Sequence, residues 1–178
     1  MIGRSALAVL ALWLAACSSG QETSEAKVDV GSSNIGRKDA CEMMTLADVQ
    51  EVYGHPMKKA ERNIGASGPS ADVSMCTYQS EDALHVATLM VTVSKATTGM
   101  LASRDAYALS AEKDVPAELR KELAVEKVEF QGHPALWQAG QLKVFKNGVM
   151  ASVLADPASG KDAKQTIEAI MVKVVPRI

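Results

Sequence analysis

Aromatic residues make up only 4% of this 178-residue chain, and histidine occurs three times. So few rings leave base-stacking platforms and carbohydrate-stacking clefts poorly supplied. Charge of either sign is not in excess: 19 Lys and Arg stand against 21 Asp and Glu, for a formal net charge of −2. A nucleic-acid binder needs a basic patch, and none stands out, so no nucleic-acid partner is expected. No apolar run reaches the roughly 20 residues required of a membrane-spanning helix. Cysteine is also scarce, with Cys17, Cys41 and Cys76 all far apart. Cys-x-x-Cys, His-x-x-x-His and Gly-x-Ser-x-Gly are all missing. A structural zinc wants four ligands and a catalytic zinc three plus water. Neither a metal centre nor a cofactor is therefore expected.

What is present begins at the N-terminus. Arg4 precedes an uncharged apolar run from Ala6 to Leu14, and the small residues Ala15 and Ala16 lead to Cys17. A short basic region followed by an apolar core of this length is the pattern of a secretory signal peptide. Leu14-Ala15-Ala16-Cys17 resembles the bacterial lipoprotein signal, the lipobox. That resemblance implies a diacylglyceryl thioether on Cys17, cleavage before it, and acylation of the new amino terminus. Ser18 stands where an aspartate would imply inner-membrane retention. In a diderm bacterium this favours the outer membrane, facing the periplasm. Each buried methylene of an acyl chain contributes about 0.8 kcal/mol, and two or more chains give stable anchoring. The expected partner at this end is thus the lipid bilayer, reached through acylated Cys17.

Removal of residues 1–16 leaves 162 residues and, with Arg4 gone, a net charge of −3. That length fits a single domain plus a tail. Residues 17–39 are polar and lack periodicity, which predicts a flexible tether with an end-to-end distance of roughly 25 Å. Full extension would reach about 70–80 Å. Lipidation of Cys17 leaves an even pair, Cys41 and Cys76. In an oxidising compartment the default for such a pair is a disulfide. It would close a loop of about 35 residues and contribute roughly 3–4 kcal/mol. The alternative is a redox or metal-binding thiol pair.

The remaining sequence, 40–178, reads as one α+β domain: an antiparallel sheet of about five to six strands with helices packed on it. Thr45 and Asp48 have capping-box spacing, and Leu46, Val49, Val52 and Tyr53 share a helix face that Gly54 and Pro56 terminate. Residues 64–72 are predicted as a glycine- and serine-rich loop, followed by a short strand at 73–79. Both faces of the next alternating stretch, through Val93, are apolar enough for a central strand. A helix is expected over 98–114, with Met100, Ala106 or Tyr107, and Leu109 turned inward. Val125–Phe130 is read as a strand. Asn147-Gly148, between two β-rich runs, predicts a type I′ hairpin. The last helix is expected to start near Ser159 or Gly160, where Ser159 and Asp162 have capping spacing. Its buried stripe would be Ala163, Ile167, Ile170 and Val174, and Pro176 would end it.

Chemical motifs are weak. Gly-His-Pro occurs twice, at His55 and His133, and is explained by turn chemistry; His85 lies in a different context. Residues 156–162 resemble a phosphate loop only superficially, since Ala155 replaces the first glycine and Asp162 would repel phosphate. Ser24-x-x-Lys27 lies in the tether, and Lys146-Asn147-Gly148 is better explained as a hairpin turn than as a β-lactamase motif. Eight methionines remain after processing, scattered apart from Met43-Met44, and fill the core. No catalytic residue is assigned. Trp137 and Tyr78 are the candidate partner-contact residues, because aromatic anchors often carry interfaces. Core packing is the competing role for both.

Residues 41–54, CEMMTLADVQEVYG, together with Met75-Cys76-Thr77-Tyr78 and the segment from Gly132 to Val153, resemble small bacterial lipoproteins classed as domains of unknown function, best known from actinobacteria. The likeness spans roughly residues 40–178, with gaps. Departures are Met43-Met44 for paired leucines and Asp48 for a glutamate. The resemblance implies a Cys41–Cys76 disulfide and an α/β sandwich like the PsbP fold, and it carries over no catalytic residue. The expected function is a membrane-tethered, non-catalytic envelope lipoprotein that binds an envelope protein or a small ligand. An inhibitor or immunity lipoprotein that neutralises an envelope-acting enzyme is one alternative. A hydrolase with an unrecognised site is another.

Overall fold

The structure is a computed structural model that describes residues 39–59, 64–95, 103–113, 116–119 and 123–178. The signal peptide over 1–16, lipidation at Cys17, nearly all of the tether, and Met100 lie outside the described residues. The elements in chain order are α1 (Ala40–Met43), α2 (Leu46–Tyr53), β1 (Met57–Lys59), β2 (Ile64–Ser67), β3 (Ala71–Ser80), β4 (Val86–Ser94), α3 (Arg104–Lys113), β5 (Glu126–Phe130), β6 (His133–Gln138), β7 (Gln141–Lys146), β8 (Val149–Ala155) and α4 (Ala163–Val174). Short 3₁₀ turns occupy Ala117–Leu119 and Val175–Arg177.

All strand pairs are antiparallel, and the sheet runs β1-β3-β4-β8-β7-β6-β5. β2 also pairs with β3, along its first half, while β1 takes the second half. The described residues thus form an α+β domain, but with eight strands where five to six were expected. Two additions come from β1 and from β2, which replaces the loop expected at 64–72. Gly65 and Ser67 offer little side chain to pack; β2 exists because β3 is ten residues long and presents free backbone groups to it.

Residues 126–155 form a four-stranded meander. Its three turns place Gln131-Gly132, Ala139-Gly140 and Asn147-Gly148 at φ of +50/+75°, +48/+72° and +51/+76°. Type I′ geometry needs positive φ at both central residues, which suits the twist of the flanking strands. The Asn147-Gly148 hairpin was legible; the other two carry the same glycine at the second position behind a less typical first residue.

Alternation along the strands gives the sheet two unlike faces. One is covered by α1, α2 and α4. Leu89, Val91, Leu142, Val144 and Val153 meet Val49, Ile167, Ile170, Met171 and Val174 there, all fully buried. Each such side chain contributes about 1.5–3 kcal/mol relative to exposure. The opposite face carries a small cluster of Leu136, Phe145 and Met150, with Tyr107 of α3 packed against it.

The helices correct several expectations. α2 has the Thr45–Asp48 capping box and a left-handed Gly54 at φ +74°, but Leu46 is 37% exposed. It is the first helical residue and projects off the end of the buried stripe. α3 buries Ala108, so Leu109, about 100° further round, points outward at 70% exposure. α4 is capped by Asp162, not by Ser159 or Gly160, because Gln165 completes a box with it. Ala163 is only half-buried, and Met171 takes its place in the stripe.

Candidate functional site

The disulfide joins Cys41 to Cys76, with Cα atoms 5.1 Å apart. It belongs to a set of contacts that dock α1 on β3. Ser74 Oγ accepts from the Ala40 amide at 3.0 Å, and Tyr78 Oη donates to the Met44 carbonyl at 2.9 Å. Ser74, Cys76 and Tyr78 are successive inward positions of one strand, so each grips a different point along α1 and its cap. Tyr78 is 3% exposed, and burial raises the pKa of its hydroxyl. That placement removes Tyr78 from any contact surface; the competing role of core packing is the one it fills.

Trp137 is only half-buried. It lies on β6 within reach of the first turn of α4, whose Lys164 sets its Nζ 5.2 Å from the indole centroid. Val128 and Phe130 of β5 share that face of the sheet and are likewise partly buried against the edge of the main core. β5 ends the sheet, and its outward Glu126, Lys127 and Glu129 line that open end. Charges on an edge strand guard against indiscriminate pairing.

Beneath α3 the sheet holds polar groups that sequence reasoning missed. Lys143 is 5% exposed and stands opposite Ser152, itself 3% exposed, across β7 and β8. Gln141 Oε1 accepts from both, at 3.0 Å from Lys143 Nζ and 3.0 Å from Ser152 Oγ. The Tyr107 ring lies 5.7 Å from the amine, and its hydroxyl donates to Gln138 Oε1 at 3.3 Å. Burial pushes Lys143 down to about 8. A lysine of lowered pKa beside a serine is a known way to activate a hydroxyl. Here, however, Ser152 Oγ donates to Gln141, and both side chains are closed to solvent. The arrangement anchors α3; it has no room for a substrate. The only sequence signal was a lysine in an otherwise apolar strand, LKVF.

A shallow cavity of about 220 Å³ lies between the start of α3 and the β7–β8 turn, lined by Ser103, Arg104, Phe145, Lys146 and Asn147 among others. Drug-sized ligands occupy about 300–1,000 Å³. Its cations are already engaged: Arg104 bonds Glu129 and the Val128 carbonyl, and Lys146 donates to the Val175 carbonyl at 3.0 Å.

The two Gly-His-Pro histidines part company. His133 opens β6. His55 instead meets His85, with ring centroids 5.1 Å apart, although thirty residues separate them in sequence.

No helix among the described residues is long and apolar enough to cross a membrane. Comparison of the chain with protein-family models, with curated proteins and with solved structures returns no match.

Proposed function

We propose that this chain is a lipid-anchored lipoprotein of the bacterial cell envelope, held at the bilayer through Cys17, that works by binding an envelope partner rather than by catalysis. What carries the reading is the fate of the three cysteines. One ends a lipobox, and the other two form a disulfide. Disulfides persist in oxidising compartments, outside the cytosol, where a lipobox would also send the chain. Its likeness to small bacterial lipoproteins of unknown function points the same way. The closed Lys143–Gln141–Ser152 cluster and the small cavity favour a protein partner over a substrate or a large ligand. Trp137, with Val128 and Phe130 beside it at the open end of the sheet, is the contact surface we assign.

Mass spectrometry of the natively expressed product tests the anchor. A mature chain beginning at an acylated Cys17 is expected; an unacylated terminus, or retention of residues 1–16, would sink the reading. A photo-crosslinking residue at position 137, used in native membranes, tests the surface. A discrete adduct is expected at 137 and none at buried position 78. Equal labelling of abundant bystanders at both positions would refute the assignment.

A further inference from the structure

His55 and His85 come from segments with no sequence relation, and the fold holds each one firmly. His55 follows the left-handed Gly54 that ends α2. β1 begins two residues later and pairs Met57 with Ser80, which brings His55 against the β3–β4 connection. That connection is tightly bonded. Ser80 Oγ accepts from the His85 amide at 3.0 Å and donates to Asp82 Oδ1 at 2.5 Å, and the Ser80 amide donates to the His85 carbonyl at 2.9 Å. The Val86 amide donates to Asp156 Oδ2 at 2.8 Å. Tyr53 Oη donates to the Asp156 carbonyl at 2.8 Å, and its ring packs 5.6 Å from His55 and 5.7 Å from His85.

Within this frame, His55 Nε2 and His85 Nδ1 are buried and have no hydrogen-bond partner. Buried polar atoms in folded proteins are almost always satisfied, so two such atoms on adjacent rings ask for an occupant. The tautomer of His55 is set by its other nitrogen. Nδ1 lies 3.2 Å from the Pro56 carbonyl, which can only accept, so Nδ1 carries the proton and Nε2 presents a lone pair. A backbone carbonyl fixing the far nitrogen is the arrangement that metal-ligating histidines almost always show. Imidazole ligands suit zinc and copper, whereas calcium and magnesium take oxygen.

We propose that His55 Nε2 and His85 Nδ1 are two ligands of a binding site for a late first-row divalent cation, zinc or copper(II); no group of three His, Cys, Asp or Glu side chains gathers there among the described residues, so the rings must part to admit the ion and its remaining positions are filled by water or by a donor from a partner. The site lies apart from Trp137 and does not depend on the envelope reading.

The test is calorimetric titration of the full chain as natively expressed with zinc chloride and with copper(II) chloride. Uptake of one equivalent is expected. His55→Gln and His85→Gln should each weaken it more than about tenfold, since removing a ligand costs at least as much as removing its support. His133→Gln should leave it unchanged. Because either substitution can disturb the ring packing, the unaltered protein supplies a second measurement. Long-range ¹⁵N spectra should show His55 Nε2 and His85 Nδ1 shifting on metal addition while His133 does not. Uptake that survives both substitutions, or spectra in which the two rings share an N–H···N hydrogen bond that one equivalent of metal leaves intact, would overturn the proposal.

Discussion

Replacing Lys143 with methionine removes a buried amine while keeping an unbranched side chain of similar length, and so isolates the cost of its desolvation. In the fold the amine titrates at about 8, against 10.5 for an unburied lysine. The unfolded chain therefore holds more protons between those values, and stability rises with pH across that window. Below pH 8 the penalty is fully present, at about 3 kcal/mol. Between pH 7.5 and 9.5 about 2 kcal/mol of it should be recovered, before tyrosine ionisation contributes much. The variant loses one hydrogen bond to Gln141, worth about 1 kcal/mol, but Ser152 still satisfies that acceptor. Lys143→Met should thus be more stable than the parent by about 1–3 kcal/mol at pH 7.5, and the gap should shrink by about 2 kcal/mol at pH 9.5. Urea denaturation followed by circular dichroism measures both. A gap independent of pH, or a variant weaker than the parent at pH 7.5, would refute the reasoning, because either result means the amine keeps its charge in the fold without penalty.

Three further outcomes follow from single contacts. Cys41→Ser with Cys76→Ser should cost about 3 kcal/mol in urea denaturation, and reductant should then no longer lower the stability of the doubly substituted chain. Burial alone would raise the pKa of Asp48, but hydrogen bonds from Arg177 and Thr45 outweigh it and hold it at about 2. That stabilisation is present above the usual carboxylate value and is lost as pH falls from about 4 toward 2. Asp48→Asn should therefore flatten the acid limb by about 1 kcal/mol, a figure discounted because Arg177 is over a third exposed. Gly148→Ala forces a side chain into φ +76° and should destabilise by about 1 kcal/mol or more, read as a lowered urea midpoint with unchanged slope.

Local chemistry made much of the fold legible. The Thr45 capping box, the Gly54 stop, the Asn147-Gly148 turn and the central strand through Leu89 and Val91 all depend on neighbours within a few residues. Failures came where a distant element decided. β2 forms because β3 is long enough to need a partner. Leu109 points outward because Ala108, the smaller residue, fits against the sheet. Lys143 is buried because Gln141 and Ser152 await it, and no window of sequence around LKVF shows Ser152 across the ladder. The two histidines are the clearest case. Along the chain His55 and His133 share a Gly-His-Pro that turn chemistry explains, whereas the register of Met57 with Ser80 sets His55 beside His85.

The route by which an anchor load would enter the domain can be traced through α1. A four-residue helix cannot sustain itself, because nucleation costs more than so few hydrogen bonds return. α1 persists because Ser74, Cys76 and Tyr78 hold it from one strand, while Arg177, from the far end of the chain, donates to the Met43 carbonyl at 2.6 Å and pairs with Asp48. β3 in turn is bonded to β4 along nine residues. Under the proposed anchoring, tension along the tether arrives at Ala40 and passes into β3, one strand in from the sheet edge, rather than peeling an edge strand. The covalent link is the one member of this set that no transient fluctuation can open. Reduction should therefore loosen α1 before anything else, and amide exchange can see it. The Met43 and Met44 amides, bonded to Asp39 and Ala40, should lose more protection in reductant than those of β4, which fall only with the global stability of the fold. If all of them lost protection to the same extent, α1 would be an integral part of the cooperative core, and the disulfide would act on the whole fold with no added effect at its junction with the tether.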